Sequence, residues 1–315
     1  MTYIEIYVLR LIQVMIFLHH NYRMIMHTIE NEYLRVGVLG KGAELASILE
    51  LDKQQEYIWQ ANDPKFWGRH SSILFPVIGA CNNDVIRLDG KLYPMPKHGI
   101  VRNAKFEIGN KSKDQIVFVL KSSSETREHY PFDWTLKVYY ELVEKSLSVI
   151  YEVTNDDLED LPYSIGAHPA FNCPNDKGKK RSDYSLIFDK EEYQDSPRID
   201  SNGLILEDAV NILNESNAIR IKDNLFENDA LILTHYKSSK VSLQVKDNPE
   251  IEVSIEGFSH LGIWSNPEVP PFVCIEPWCG IADPVGYEGN MHSKPGILLL
   301  APRAVARHTH VISVL

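Results

Sequence analysis

What constrains this chain most is a rhythm running from about Thr28 to the end. Apolar or alternating runs of five to nine residues, rich in Val, Ile, Tyr and Phe, each stop at Gly, Asn, Asp or Lys. Period-two alternation with β-branched and aromatic enrichment marks strands. Such runs fall at 33–38, 43–51, 116–121, 134–142, 147–154, 186–188, 230–234, 241–245, 251–255, 297–300 and 308–315. Asp89-Gly90, between 85–88 and 91–93, is a hairpin signal, and Glu144-Lys145 joins 134–142 to 147–154 in the same way. No stretch of twelve or more residues carries a 3.6-residue period. Short helical turns are expected near 125–129 and 205–213. More than a dozen strands without a Pro/Ser/Gly-rich linker or an internal repeat predict an all-β chain. The expected architecture is one large antiparallel β-sandwich over 26–315.

Residues 3–18 (YIEIYVLRLIQVMIFL) are strongly apolar but interrupted by Glu5, Arg10 and Gln13. The run is short for a membrane span, and a central Arg costs roughly 2.5–3.5 kcal/mol even on the lenient insertion scale. No small-residue cleavage site follows, so a signal peptide fits poorly. Residues 1–25 are therefore expected to be an extension outside the fold, with Met24 or Met26 the more natural beginning. A net charge of −11 over 315 residues argues against non-specific nucleic-acid binding, which relies on Lys and Arg against phosphates. The four cysteines, Cys81, Cys173, Cys274 and Cys279, form no C-x-x-C pair and no zinc-finger spacing. They are read as reduced thiols of a cytoplasmic protein with no membrane partner. The charged segment 175–183 (NDKGKKRSD) is expected to be a solvated loop.

Glu276 stands in an apolar stretch, Pro270 to Asp283, that reads as a buried strand entering a turn. A bare carboxylate there costs several kcal/mol, or gives up its charge, unless it is paired. Such positions are structural ion pairs or working acids and bases. His168 has a similar apolar setting in Gly166-Ala-His-Pro-Ala-Phe171, where the following proline favours an extended backbone. A satisfied core histidine is the alternative. In Lys97-His-Gly-Ile-Val-Arg102, a glycine beside His98 lets backbone approach a ligand closely; a turn histidine with an exposed arginine is the plainer reading. Arg69 precedes the buried-looking 72–79 run, where a surface ion pair is the plainer reading. Trp278, beside Glu276, is placed either to stack on a sugar or to fill core. Asp229 stands at the mouth of a strand, as a ligand contact or a turn residue.

The order of these segments is more specific than any one of them. The chain from Glu30 to Leu315 resembles the aldose 1-epimerase (galactose mutarotase-like) family, in its LacX-like branch. The resemblance rests on Gly42-Ala-Glu-Leu-Ala-Ser-Ile48, Arg69 with Ile-Leu-Phe-Pro-Val-Ile-Gly79, His98-Gly-Ile-Val-Arg102 and Tyr130-Pro-Phe132. It continues through Gly166-Ala-His-Pro-Ala-Phe-Asn172, Phe226 with Asp229-Ala-Leu-Ile232, and Ile275-Glu-Pro-Trp-Cys-Gly280. It implies the galactose mutarotase-like supersandwich, with a sugar site on a concave face. It also implies Glu276 as base, His168 as acid and His98 near the ring oxygen, with Arg69 and Asp229 holding hydroxyls. Opening and closing an aldose ring takes one base and one acid of well-separated proton affinity on opposite sides of the ring; no metal or cofactor is needed. A cation such as Arg69 is expected to keep Glu276 ionised, and a nearby carboxylate to raise the proton affinity of His168.

Where the galactose-specific members carry an Asn-Arg-rich segment after the first arginine, this chain reads His70-Ser-Ser-Ile-Leu-Phe-Pro76, which puts galactose preference in doubt. A hexose 6-phosphate stays open, with Arg69, Lys97 and Arg102 as its cations. So do a non-catalytic sugar-binding sandwich and a homodimer through an edge strand.

Overall fold

The computed structural model describes residues 25–175 and 178–315. Two antiparallel sheets dominate it. One has nine strands in the spatial order 205–220, 184–199, 240–245, 248–254, 305–314, 146–155, 134–143, 115–121, 107–111. The other has five: 231–234, 260–264, 272–279, 165–172 and 71–74. Alternation explains how they stack. Along Ile165–Asn172 the odd positions Ile165, Ala167 and Phe171 enter the main core, and along Phe272–Cys279 so do Val273, Ile275 and Cys279. They meet inward residues of the nine-stranded sheet, among them Val138, Tyr140, Tyr151, Phe188 and Val253. This is the predicted sandwich. A four-stranded sheet from Met26–Glu30 to Gln55–Glu56 adds Val36, Val38 and Ile48 to the same core.

Both predicted hairpins form. Trp134–Val143 and Ser146–Asn155 pair with Val143 opposite Ser146, around Glu144 at φ 50°. Val85–Leu88 pairs with Lys91–Pro94 around Asp89 and Gly90, both at positive φ as a primed turn demands. A short helix covers Ser124–Arg127, capped by Ser123. The helical turn expected at 205–213 is instead the start of a sixteen-residue strand, Ile205–Arg220, paired with Tyr184–Ile199. Most of its side chains are exposed, so no alternation marked it. Nor is the whole of 175–183 a solvated loop. Arg181 is buried, its guanidinium over the Phe226 ring, with Nη1 donating to the Pro270 carbonyl.

All four cysteines are buried and free. The extension expected at 1–25 lies, up to residue 24, outside the described residues, among which no helix is long and apolar enough to cross a membrane.

Candidate active site

The outer face of the five-stranded sheet carries the even positions: Gly166, His168 and Ala170 on one strand, Cys274, Glu276 and Trp278 on the next. The two strands run antiparallel with Gly166 opposite Trp278 and Ala170 opposite Cys274. That register sets His168 across from Glu276. No ladder pair forms between those two positions, and the sequence supplies the reason. Pro169 follows His168 and Pro277 follows Glu276; each removes a backbone donor while holding its predecessor extended. The ladder opens where the two candidate side chains face each other. Gly262, opposite Glu276 on the other side, leaves the space that Trp278 fills: a Cβ there would stand 2.5 Å from the indole.

His168 and Glu276 are nine-tenths or more buried, and His168 Nδ1 lies 3.4 Å from Glu276 Oε2, within ion-pair range. Neither atom makes a hydrogen bond. Burial, reinforced by the charge of Asp229, pushes the Glu276 carboxyl well above its ordinary range, against the pull of Lys97. Burial also pushes the His168 imidazole down to about 3. Both groups are thus biased to their neutral forms, which overturns the expectation of an ionised Glu276 that raises the proton affinity of His168. The cation expected to hold Glu276 charged is engaged elsewhere. Arg69 donates to the Arg102 carbonyl at 3.3 Å and to Asn103 Oδ1 at 2.8 Å, and lies 3.7 Å from Glu44.

The pair lies on a cavity of about 720 Å³, within the roughly 300–1,000 Å³ typical of small-molecule sites. His98, Arg102, Asp229 and Trp278 also line it; Arg69 does not. His98 sits at φ 68° beside Gly99 at φ 78°, where a Cβ would stand 2.0 Å from the Phe75 carbonyl oxygen. Its backbone N–H donates to the Gly79 carbonyl, and its Nδ1 accepts from the Gly79 N–H at 3.2 Å. A backbone N–H can only donate, so the neutral ring of His98 carries its proton on Nε2. The ring centroid is 5.6 Å from that of His168. Asp229 is half-buried, at φ 74°, and its Oδ1 accepts from the Ala230 N–H. Trp278 is wedged in the sheet, its Nε1 donating to the Ala167 carbonyl at 3.2 Å.

Sequence reasoning missed several neighbours. Trp67 stacks on His168 at 4.6 Å and 22°, and Trp264 meets the same ring edge-on at 5.6 Å. The end of the 184–199 strand, with Arg198, and the turn after it, with Asp200 and Gly203, border the cavity. Isolated tryptophans and a turn remote in sequence carry no local signal. Ligand atoms of His168, Cys274 and Glu276 all lie within 4.8 Å of one another.

The aldose 1-epimerase family profile matches residues 26–294. The chain belongs to the aldose 1-epimerase family. It is 34% identical over 297 residues to the plasmid and chromosomal LacX proteins of Lactococcus lactis subsp. lactis, covering 91% of this chain and 98% of theirs. Among solved structures, a galactose mutarotase related enzyme from Lactobacillus acidophilus superposes with a TM-score of 0.87 at 33% identity, covering 92% of this chain and 97% of that one. A galactose mutarotase-like protein from Lactobacillus casei gives a TM-score of 0.87 at 32% identity, over 92% and 100%.

Proposed function

We propose that this family member is an isomerase that interconverts the α and β anomers of a hexose, with Glu276 and His168 as the proton-transfer pair. The observation that carries the reading is one buried carboxyl and one buried imidazole, 3.4 Å apart with neither facing atom hydrogen-bonded, on a cavity of sugar-binding size. Mutarotation moves one proton off the C1 hydroxyl and another onto the ring oxygen; after rotation about C1–C2, closure reverses both. The neutral acid with neutral imidazole and the carboxylate with imidazolium hold the same number of protons. The pair can therefore give one proton and take one in a single passage, and end as it began. Glu276 acts as base and His168 as acid in the charged form, and their biased neutral forms make that form accessible only as a sugar replaces lost solvation. His98, through Nε2–H, donates to a sugar oxygen, and Asp229 and Arg102 bind hydroxyls. Arg69 acts at one remove, by holding the Arg102 carbonyl and the Asn103 side chain.

Lys97, Arg102 and Arg198 on the cavity wall favour a second reading, a hexose 6-phosphate substrate, because three cations suit a phosphate. Anomer exchange of galactose, glucose and their 6-phosphates, followed by NMR at neutral pH, tests both. Wild type should accelerate exchange of one class. Glu276→Gln and His168→Asn should each lose about 10²–10⁴-fold while still binding the sugar. Binding without acceleration in the wild type would make the protein a sugar-binding module. Joint loss of binding and turnover in Glu276→Gln would make Glu276 structural.

A further inference from the structure

Behind the acid–base pair, covered from the cavity, lies a third group that these proton transfers do not use, the fully buried Cys274. Cys274 stands two residues before Glu276, so both side chains leave the same face of one strand, and His168 meets them from the next. One nitrogen, one sulfur and one carboxylate oxygen converge within 4.8 Å of each other. His168 Nδ1 and Glu276 Oε2 are buried without any hydrogen-bond partner. Buried polar atoms are nearly always paired, so two orphans pointing together beside a thiol are the mark of a site that takes something.

We infer that His168, Cys274 and Glu276 form a binding site for a thiophilic divalent cation such as Zn²⁺, whose occupation withdraws the acid–base pair from proton transfer. The inhibitory half rests on the epimerase reading; the binding half does not. Sulfur, nitrogen and oxygen donors suit zinc and its softer neighbours, whereas Mg²⁺ and Ca²⁺ want oxygen alone. A thiolate and a carboxylate against a divalent cation sum to zero charge, so the ion enters an apolar setting without burying net charge. Three protein ligands leave a fourth position for a water or a sugar hydroxyl. The fit asks for little movement. Bonds of about 2.0–2.3 Å in a tetrahedron set ligand atoms roughly 3.3–3.8 Å apart. The 3.4 Å edge between His168 and Glu276 already meets that. The widest separation, at most 4.8 Å, closes with about 1 Å of side-chain rotation. Trp67, stacked on His168, holds the imidazole in line.

The test uses the reduced full chain titrated with Co²⁺ and with Zn²⁺, as wild type, Cys274→Ala, Cys274→Ser and His168→Asn. Thermal unfolding checks that each variant is folded, and Cys274→Ser serves if Cys274→Ala is not. One equivalent of Co²⁺ should raise a thiolate-to-metal charge-transfer absorption that Zn²⁺ displaces and both Cys274 variants lack. Zn²⁺ affinity, by competition with a chromophoric chelator, should fall at least about tenfold in Cys274→Ala and in His168→Asn. On a sugar that the wild type turns over, one equivalent of Zn²⁺ should slow exchange about tenfold or more, with recovery on chelation. The same addition should slow Cys274→Ala by less than about twofold. Affinity unchanged in the variants, or no thiolate band, overturns the site, and metal uptake then belongs to other histidines. A thiolate band with undiminished exchange overturns the inhibition. If no sugar is turned over, the epimerase reading fails, and the cobalt band still decides whether the site exists.

Discussion

Two buried residues that resist their own charged forms form the proton-transfer pair we propose. Glu276 and His168 draw their properties from burial more than from partners, and the sequence showed the burial but not which of its two outcomes for Glu276, a paired charge or a neutral carboxyl, holds. An apolar run around each residue was legible. That Arg69 turns toward Glu44, twenty-five positions earlier in the chain, was not, because ion-pair choice is decided in three dimensions. The same holds for Trp67. Its face-to-face contact with His168 fixes the ring against rotation, and aromatic pairs of this kind contribute about 0.5–1.5 kcal/mol. Trp67→Leu is therefore expected to slow anomer exchange by roughly three- to tenfold and, because its contacts with Trp264 and Phe272 go too, to lower the thermal midpoint by a few degrees. An unchanged rate would show that the imidazole is held by the sheet alone.

At the scale of elements, strands were readable where one face is buried and the other is wet. Trp134–Val143 and Ser146–Asn155 alternate cleanly, and their turn residues match. The Ile205–Arg220 strand was not readable, since exposure on both faces erases the period that distinguishes strand from helix. The His98 turn is a different case, legible from its glycine. Gly99 is at positive φ with a carbonyl oxygen 2.0 Å from where a Cβ would be, whereas Gly90, also at positive φ, has open space around it. Gly99→Ala should thus cost about 3 kcal/mol or more and take anomer exchange down with it by displacing His98. Gly90→Ala should cost about 1–2 kcal/mol and leave exchange alone. Urea unfolding midpoints and NMR exchange on the two variants check this pair, and equal costs would refute the crowding argument.

For the molecule as a whole, acid sensitivity follows from histidines that fold in their neutral form. His310 is buried against Tyr151, ring centroids 5.7 Å apart, and burial pushes its imidazole from 6.5 down to about 3. Between those values the unfolded chain binds a proton that the folded chain does not, so stability falls as pH falls through the window. The slope approaches about 1.4 kcal/mol per pH unit for each such group. His260, pushed down to about 4, adds to it. His310→Phe should keep the ring contact and remove close to one group's share of the slope between pH 6 and pH 4 (roughly the span over which one site titrates fully). Urea titrations across that range measure it, and an unaltered slope would assign the sensitivity elsewhere. The whole also divides its labour. His168 and Glu276 stand mid-strand in a sheet paired on both sides, while Lys97, Arg198, Asp200 and Gly203 reach the cavity from connecting segments or strand ends. Connecting segments accept substitution and insertion more readily than paired strands do. On the proposed reading, descendants of such a fold can change which sugar they admit by rewriting the border, generation after generation, without disturbing the facing carboxyl and imidazole.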